Sequence, residues 1–123
     1  MTNGNNKPTY TLYTNGSCYA HDDLSVFGFA DYLNHFSPGH WDFMTLKPST
    51  PVRGSTFIQV GAPNEKTNFK MVMEIGILNP NRIEVYRYYT SDKKEVLQML
   101  ADYFEKQEIP DYTSWEDVSR ELI

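Results

Sequence analysis

The 123-residue sequence has one cysteine, no long apolar run and no excess of basic residues. Because Cys18 is alone, no disulfide can form within the chain, and a reducing, cytoplasmic compartment is expected. No apolar run approaches the ~20 residues that a membrane-spanning helix needs. No leader with a charged and then an apolar segment opens the chain, so we expect neither a membrane protein nor a secreted one.

Charge is unevenly distributed along the chain. Residues 1–91 contain seven acidic and seven basic residues, whereas residues 92–123 contain nine acidic and four basic ones, so the net charge of −5 belongs to the C-terminal quarter. An acidic region repels phosphate backbones and attracts basic partners, which argues against nucleic-acid binding. The same charges are also typical of a solvated helical surface. The seven glycines never take the spacing of a phosphate-binding loop.

Apolar periodicity predicts the secondary structure. Alternation at the period of two predicts strands over residues 9–14, 41–46, 55–61, 69–77 and 83–89. Helical spacing predicts a helix that begins at Asp22 or Asp23, a second over residues 92–107 with Asp92 as its N-cap, and a terminal helix from Thr113. These elements indicate an α+β fold of order β-α-β-β-β-β-α-α, with a mainly antiparallel five-stranded sheet and helices packed on it. One domain over residues 9–123 follows a flexible segment at residues 1–8.

The hairpin around Asn79-Pro80-Asn81 carries the strongest pattern. A three-residue loop would pair Ile77 with Ile83 and set apolar residues opposite each other. A register shifted by one residue would instead set Ile77 opposite Glu84. We therefore predict the three-residue loop.

Candidate catalytic residues are few. Cys18, His21 and Asp22 are the residue types of a cysteine nucleophile with its base and orienting carboxylate. A thiol and an imidazole three residues apart on a turn seldom make the required contact, so a structural role is preferred. We therefore expect no enzymatic activity.

Candidate metal ligands also fail to form a recognisable set. They are His21, Asp22, Asp23, His35 and His40. His35 and His40 are five residues apart with Ser37-Pro38-Gly39 between them, so no helical face aligns the two rings. The sequence predicts neither a metal nor another cofactor.

Binding is the predicted function. On the predicted hairpin, the face opposite the core carries Glu74, Glu84, Tyr86 and Tyr88, and tyrosine is enriched at protein interfaces. The leading hypothesis is a protein-binding or inhibitory module that docks onto a basic protein, as small toxin-immunity proteins do. The predicted binding residues are Glu74, Glu84, Tyr86, Tyr88, Asp111, Glu116 and Asp117.

Three alternatives stay open. Tyr86 and Tyr88 could instead be covered by the first helix or by Trp115 and form a second core layer. A cavity between the sheet and the helix over residues 92–107, lined by Met71, Met73 and Met99, could hold a small apolar ligand. An uncovered strand edge could pair two copies into a homodimer.

Overall fold

The computed structural model describes residues 7–36 and 42–122 and shows an α+β fold with one antiparallel sheet. The strands are β1 Tyr10–Thr14, β2 Ser17–Tyr19, β3 Phe43–Pro48, β4 Ser55–Gly61, β5 Met71–Asn79, β6 Arg82–Thr90 and β7 Glu116–Asp117. The α-helices are α1 Val26–Asn34 and α2 Lys93–Ala101, and α2 continues into a π-helical segment, Asp102–Lys106. Short 3-10 turns cover His21–Asp23, Glu65–Thr67 and Ser119–Leu122.

Three predictions fall on residues outside those ranges. They concern the flexible segment at residues 1–8, of which only residues 7 and 8 are described, the segment Ser37-Pro38-Gly39 that separates His35 from His40, and the candidate ligand His40 itself.

The strand order in the sheet is β2-β1-β3-β4-β5-β6-β7, and each neighbouring pair is antiparallel. The predicted antiparallel arrangement is confirmed, but the prediction of five strands is wrong because the sheet has seven. β2 was missed because it has only three residues and comes directly after the two-residue turn at Asn15-Gly16. Gly16 in that turn has a φ of 76°, a conformation that favours glycine. β7 was missed because its two residues gave no periodic signal.

The predicted register of the β5–β6 hairpin is wrong by one residue. Asn79 pairs with Arg82, which leaves a two-residue loop and sets Ile77 opposite Glu84. The reason lies in the tyrosines: Met73 pairs with Tyr88 and Ile75 with Tyr86, so aromatic rings extend the apolar stripe of β5. The prediction had assigned that role to Ile83 and Val85. Phe69, predicted to begin the buried stripe, lies before β5 with a φ of 60° and is 58% exposed.

The core lies on the face of the sheet that both helices cover, called the helix face below. Its cluster comprises strand residues Tyr10, Leu12, Met44, Leu46, Ile58, Val60, Met71 and Met73 together with helical residues Phe29, Leu33, Val96, Leu100 and Tyr103. The predicted stripe of the first helix is confirmed, since Phe29 and Leu33 are buried. Its N-cap is Ser25, which accepts from Gly28 N at 3.0 Å, rather than Asp22 or Asp23.

The second helix begins as predicted. The Asp92 side chain accepts hydrogen bonds from the backbone N–H groups of Lys94 and Glu95. The capping box expected between Asp92 and Glu95 does not form, because Glu95 accepts instead from Tyr88 and Thr90. The Thr90 hydroxyl takes the place of Glu95 and accepts from Asp92 N at 3.1 Å.

The predicted terminal helix is absent. Residues 113–117 lead through a turn into β7, and only a 3-10 turn follows. The extended conformation is favoured because β6 offers a strand edge: Val118 N donates to Val85 O at 2.8 Å, and Val85 N donates to Ser119 Oγ at 3.0 Å. In this conformation the backbone N–H of Val118 is paired with β6, whereas in a helix it would be paired within the helix.

The opposite side of the sheet is called the open face. Strand pairing assigns to it Tyr13, Phe43, Thr45, Gln59, Gly61, Val72, Glu74, Gly76, Leu78, Ile83, Arg87 and Tyr89. Four of these residues are exposed apolar or aromatic side chains: Tyr13, Leu78, Ile83 and Tyr89. No helix in the described part of the chain combines the length and apolar character needed to cross a bilayer.

Candidate functional site at the edge of the sheet

Two aspartate-capped turns position β7 against β6. The Asp111 carboxylate accepts from the backbone N–H of Thr113 at 3.1 Å and from its hydroxyl at 2.7 Å. The Asp117 carboxylate accepts from Ser119 in the same way, at 2.9 and 2.6 Å. Aspartate and a following Ser or Thr are the residue types that form such turns. The chain between the two turns is thereby held along the outer edge of β6, where Tyr86 pairs with Asp117.

Two aromatic pairs form beneath this edge. Tyr86 lies against Tyr112 with ring centroids 4.8 Å apart, and Tyr88 stacks on Trp115 at 5.2 Å with an interplanar angle of 13°. Tyr88 and Trp115 also pack against the core cluster. Trp115 therefore covers Tyr88, as one alternative predicted, whereas Tyr86 lies against Tyr112. Both rings are half-buried on the helix face beside Ile75 and Met73, so they extend the core on that face and do not form a second core layer.

The hydroxyl groups of these tyrosines donate to carboxylates. Tyr86 OH donates to Glu84 at 2.9 Å and Tyr88 OH donates to Glu95 at 2.8 Å. Each bond stabilises the neutral phenol, so the pKa of both tyrosines is raised. The bond from Tyr86, followed by one from Arg82, lowers the pKa of the Glu84 carboxyl.

Hydrogen bonds within the two turns act on the carboxyl groups of Asp111 and Asp117. Hydrogen bonds from Thr113 lower the pKa of Asp111, and hydrogen bonds from Ser119 lower that of Asp117. Asp111, Glu116 and Asp117 are all exposed. Arg82, which also pairs with Glu84 at 3.0 Å, and Arg120 both act on Asp117 and lower the pKa of its carboxyl further. We call Asp111, Glu116 and Asp117, together with Glu84 on the neighbouring strand β6, the acidic edge.

The structure brings together most of the predicted binding residues. Asp117 pairs with Tyr86 on β6, Glu84 lies two residues before Tyr86, and Asp111 occupies the turn before β7. Glu116 pairs with Arg87, so it lies on the open face, opposite to Asp117. Tyr88 lies beneath Trp115 beside them.

Glu74 is separated from this group. The shifted register places it on the open face opposite Arg87, and not beside Tyr86 as the sequence had suggested. The prediction that Glu74 shares one surface with Glu84, Tyr86 and Tyr88 is therefore wrong.

Sequence reasoning missed Tyr112 and assigned Trp115 to a helix. A signal for the true arrangement was available, because Asp111 and Asp117 each stand two residues before a hydroxyl-bearing residue. That spacing is typical of a turn at either end of a short segment.

The residues first considered for chemistry are used in other ways. Cys18 is exposed on β2, and His21 Nδ1 accepts from the backbone N–H of Tyr10 at 2.9 Å. The His21 ring stacks on Tyr10 with centroids 6.0 Å apart. Among residues 7–36 and 42–122, no three His, Cys, Asp or Glu side chains converge in a way that could hold a metal ion.

The methionines of the ligand alternative are enclosed in the core. Met71 and Met73 are 2% and 0% exposed and belong to the same cluster as Val96 and Leu100, and Met99 packs against that cluster. This packing gives no support to a ligand cavity between the sheet and α2.

Comparison with known proteins found no relative: no family model, no curated protein and no solved structure matches this chain at a significant level. A function for the chain therefore rests on the chemistry of its surfaces.

Proposed function

We propose that this chain is a non-enzymatic binding protein that docks a basic protein partner at the acidic edge. The observation that carries the proposal is the exposure of three carboxylates at the end of the sheet: Asp111 in the turn before β7, and Glu116 and Asp117 on β7. Carboxylates placed together in this way attract Lys and Arg side chains and increase the rate of encounter with a cationic protein.

The turns prepare these carboxylates for binding. In Asp111 and Asp117, both hydrogen bonds from the described residues go to Oδ1, and within that part of the chain Oδ2 is left for a partner. The side chains are already ordered, so docking costs little further side-chain entropy. Beneath them, the Tyr86–Tyr112 and Tyr88–Trp115 pairs provide a rigid support. Neutralising a basic partner in this way is how toxin-immunity proteins work, and the proposal includes inhibition of the partner.

The test begins with capture of partners from an extract of the native cells at low ionic strength. Captured proteins are expected to be basic and to be released as salt is raised, since exposed charge pairs are screened. Amide hydrogen exchange of the complex is expected to show added protection at residues 84–88 and 111–119.

A charge-neutral variant makes the test specific. Asp111→Asn combined with Glu116→Gln and Asp117→Asn removes three charges while Asn keeps the oxygen that accepts the turn hydrogen bonds. Binding is expected to weaken about tenfold, because each exposed charge contact makes a small contribution to affinity and all three are lost together.

A matched control removes three exposed charges elsewhere. Asp22→Asn with Asp23→Asn and Glu65→Gln alters residues that lie outside the acidic edge, and it is expected to bind like the wild type. If the control weakens binding as much as the edge variant, or if the captured partner is acidic, the proposal is wrong.

A further inference from the structure

A row of polar side chains crosses the middle of the open face. Thr45, Gln59, Glu74 and Arg87 occupy paired positions on β3, β4, β5 and β6. The Thr45 hydroxyl donates to Gln59 Oε1 at 2.6 Å, and Gln59 Nε2 donates to Glu74 Oε1 at 3.2 Å. Arg87 Nε donates to Glu74 Oε2 at 2.7 Å. The row is thus held in one arrangement by its own hydrogen bonds.

A second row, two residues along each strand, is apolar. It consists of Phe43, Gly61, Val72 and Tyr89, again on β3 to β6. Gly61 leaves a gap in this row, because a Cβ atom added there would meet no other atom within 4 Å. The gap is bordered on one side by the Phe43 side chain and on the other by Val72, with Tyr89 beyond it.

Both rows, except Thr45, and the loop after β4 line an open groove with a volume of about 690 Å³. From the loop, Asn64, Lys66 and Thr67 line its end. The volume falls within the range of about 300–1,000 Å³ that is typical of small-molecule sites. A groove with an apolar floor and a few ordered polar groups on one side is the usual form of such a site.

The lining charges cancel. Asp42 and Glu74 are balanced by Lys66 and Arg87. The groove therefore offers no net attraction to a strongly charged ligand. This is unlike the acidic edge, which carries an excess of carboxylates.

Several polar side chains that line the groove can form further hydrogen bonds with a ligand. Within residues 7–36 and 42–122, Gln59 Nε2 donates one hydrogen bond, so its second N–H is available to a ligand. In Asn64 the side-chain oxygen accepts from Thr67 N, and its amide nitrogen has no partner among the described residues. Glu74 Oε1 accepts one hydrogen bond, from Gln59, and can accept a second, whereas Oε2 already accepts two from Arg87. A ligand here would meet both donors and acceptors along one edge.

We propose that this groove binds a small, uncharged heteroaromatic molecule. Its flat ring would cover Gly61 beside Phe43, and donor and acceptor atoms on the ring edge would face Gln59 and Glu74. The site goes beyond the proposed function and does not depend on it, because it uses the open face and none of the residues of the acidic edge.

Adenosine is a suitable probe, since it carries a flat ring with donors and acceptors and no charge at neutral pH. A titration followed by ¹H–¹⁵N correlation spectra is expected to give saturable shifts at the amides of residues 61, 72 and 89. Adenosine 5′-monophosphate is expected to bind no more than about threefold more tightly, because the lining has no net charge.

Two variants and one control locate the site. Gly61→Val places a side chain in the gap, where an added Cβ atom meets no other atom within 4 Å, and it is expected to weaken adenosine binding about tenfold, which is the size of effect that loss of one stacked contact produces. Tyr89→Ala removes one wall and is expected to weaken binding. Tyr13→Ala removes a tyrosine of the same 39% exposure from the same face but outside the groove, and it is expected to bind like the wild type.

Several results would overturn the proposal: no saturable shift with adenosine, unchanged binding by folded Gly61→Val, or equal losses in Tyr13→Ala and Tyr89→Ala. A monophosphate that binds far more tightly than adenosine would also overturn it and would show an anion site instead.

Discussion

Arg87 donates to one oxygen of Glu74 from both Nε and Nη2, at 2.7 and 2.6 Å. The other Glu74 oxygen accepts from Gln59. The side chains of Glu74 and Arg87 are only 16% and 22% exposed, so this ion pair is shielded from solvent by its neighbours on the sheet. Because hydrogen bonds to charged groups strengthen as water is excluded, the pair is expected to stabilise the register of the β5–β6 hairpin.

Removal of one partner tests this expectation. Glu74→Ala is expected to lower the free energy of unfolding by about 1.5–3 kcal/mol, because Arg87 and Gln59 lose a charged acceptor. Urea unfolding measures the change. Arg82→Ala is the control: Arg82 pairs with Glu84 at 3.0 Å but is 75% exposed, so its loss is expected to cost no more than about 1 kcal/mol. If Glu74→Ala and Arg82→Ala lower the free energy of unfolding by the same amount, the expectation that burial strengthens the Glu74–Arg87 pair is wrong.

Two glycines of the open face are expected to respond differently to alanine. A Cβ on Gly76 would lie 2.3 Å from Cε2 of Phe57, so the ring must move, and Gly76→Ala is expected to destabilise the fold by about 1–3 kcal/mol. At Gly61 the added methyl group enters open space, and Gly61→Ala is expected to be neutral or slightly stabilising. Thermal unfolding of both variants provides the comparison. In a Phe57→Ala background, the cost of Gly76→Ala should largely disappear; its persistence would rule out the clash as the cause.

His21 is expected to stabilise the fold through one hydrogen bond. His21→Phe keeps a ring against Tyr10 and Phe104 but removes the acceptor for Tyr10 N, so a loss of about 1–3 kcal/mol is expected. His35→Phe, at an exposed position, is expected to change stability by less than about 0.5 kcal/mol. The two variants can be compared by urea unfolding. Faster amide exchange at Tyr10 in His21→Phe would identify the missing bond, and unchanged exchange would contradict it.

Alkaline pH is expected to destabilise the protein through buried phenols. Burial raises the pKa of Tyr103 and Tyr10 above the ordinary value of about 10, so the folded state holds these protons more tightly than the unfolded state. Their contribution to stability is therefore complete below about pH 10 and is lost as pH rises through the folded pKa. Unfolding free energies measured at rising pH should fall more steeply in the wild type than in Tyr103→Phe. Identical slopes would show that Tyr103 does not contribute.

The sequence predicted the parts of the fold that local periodicity determines. The stripe of α1, the Asp92 cap and the antiparallel order of the strands all follow from spacing or from single residue types. The hairpin register could not be read in this way, because matching Ile77 to Ile83 ignores how much apolar surface a tyrosine ring provides. Tyr86 and Tyr88 bury their rings beside Ile75 and Met73 while their hydroxyls reach carboxylates.

The candidate site was only partly predictable for a related reason. Residue types correctly drew attention to Asp111, Glu116 and Asp117, but the element that unites them is a two-residue strand. So short a strand has no periodicity of its own, and its conformation depends on the free edge of β6. Glu74 was misplaced because a register shift of one residue changes which residues of the neighbouring strand share its face.

The lengths of the outermost strands have a consequence for self-association. β2 has three residues and β7 has two, while the five longer strands lie between them. At the outer edge of β6, positions 85–87 are already paired with β7 or with Val118 and Ser119. Short outer strands give a foreign strand little continuous backbone on which to align, so growth of an intermolecular sheet is discouraged. A homodimer joined edge to edge would accordingly need side-chain contacts in addition to its few backbone hydrogen bonds.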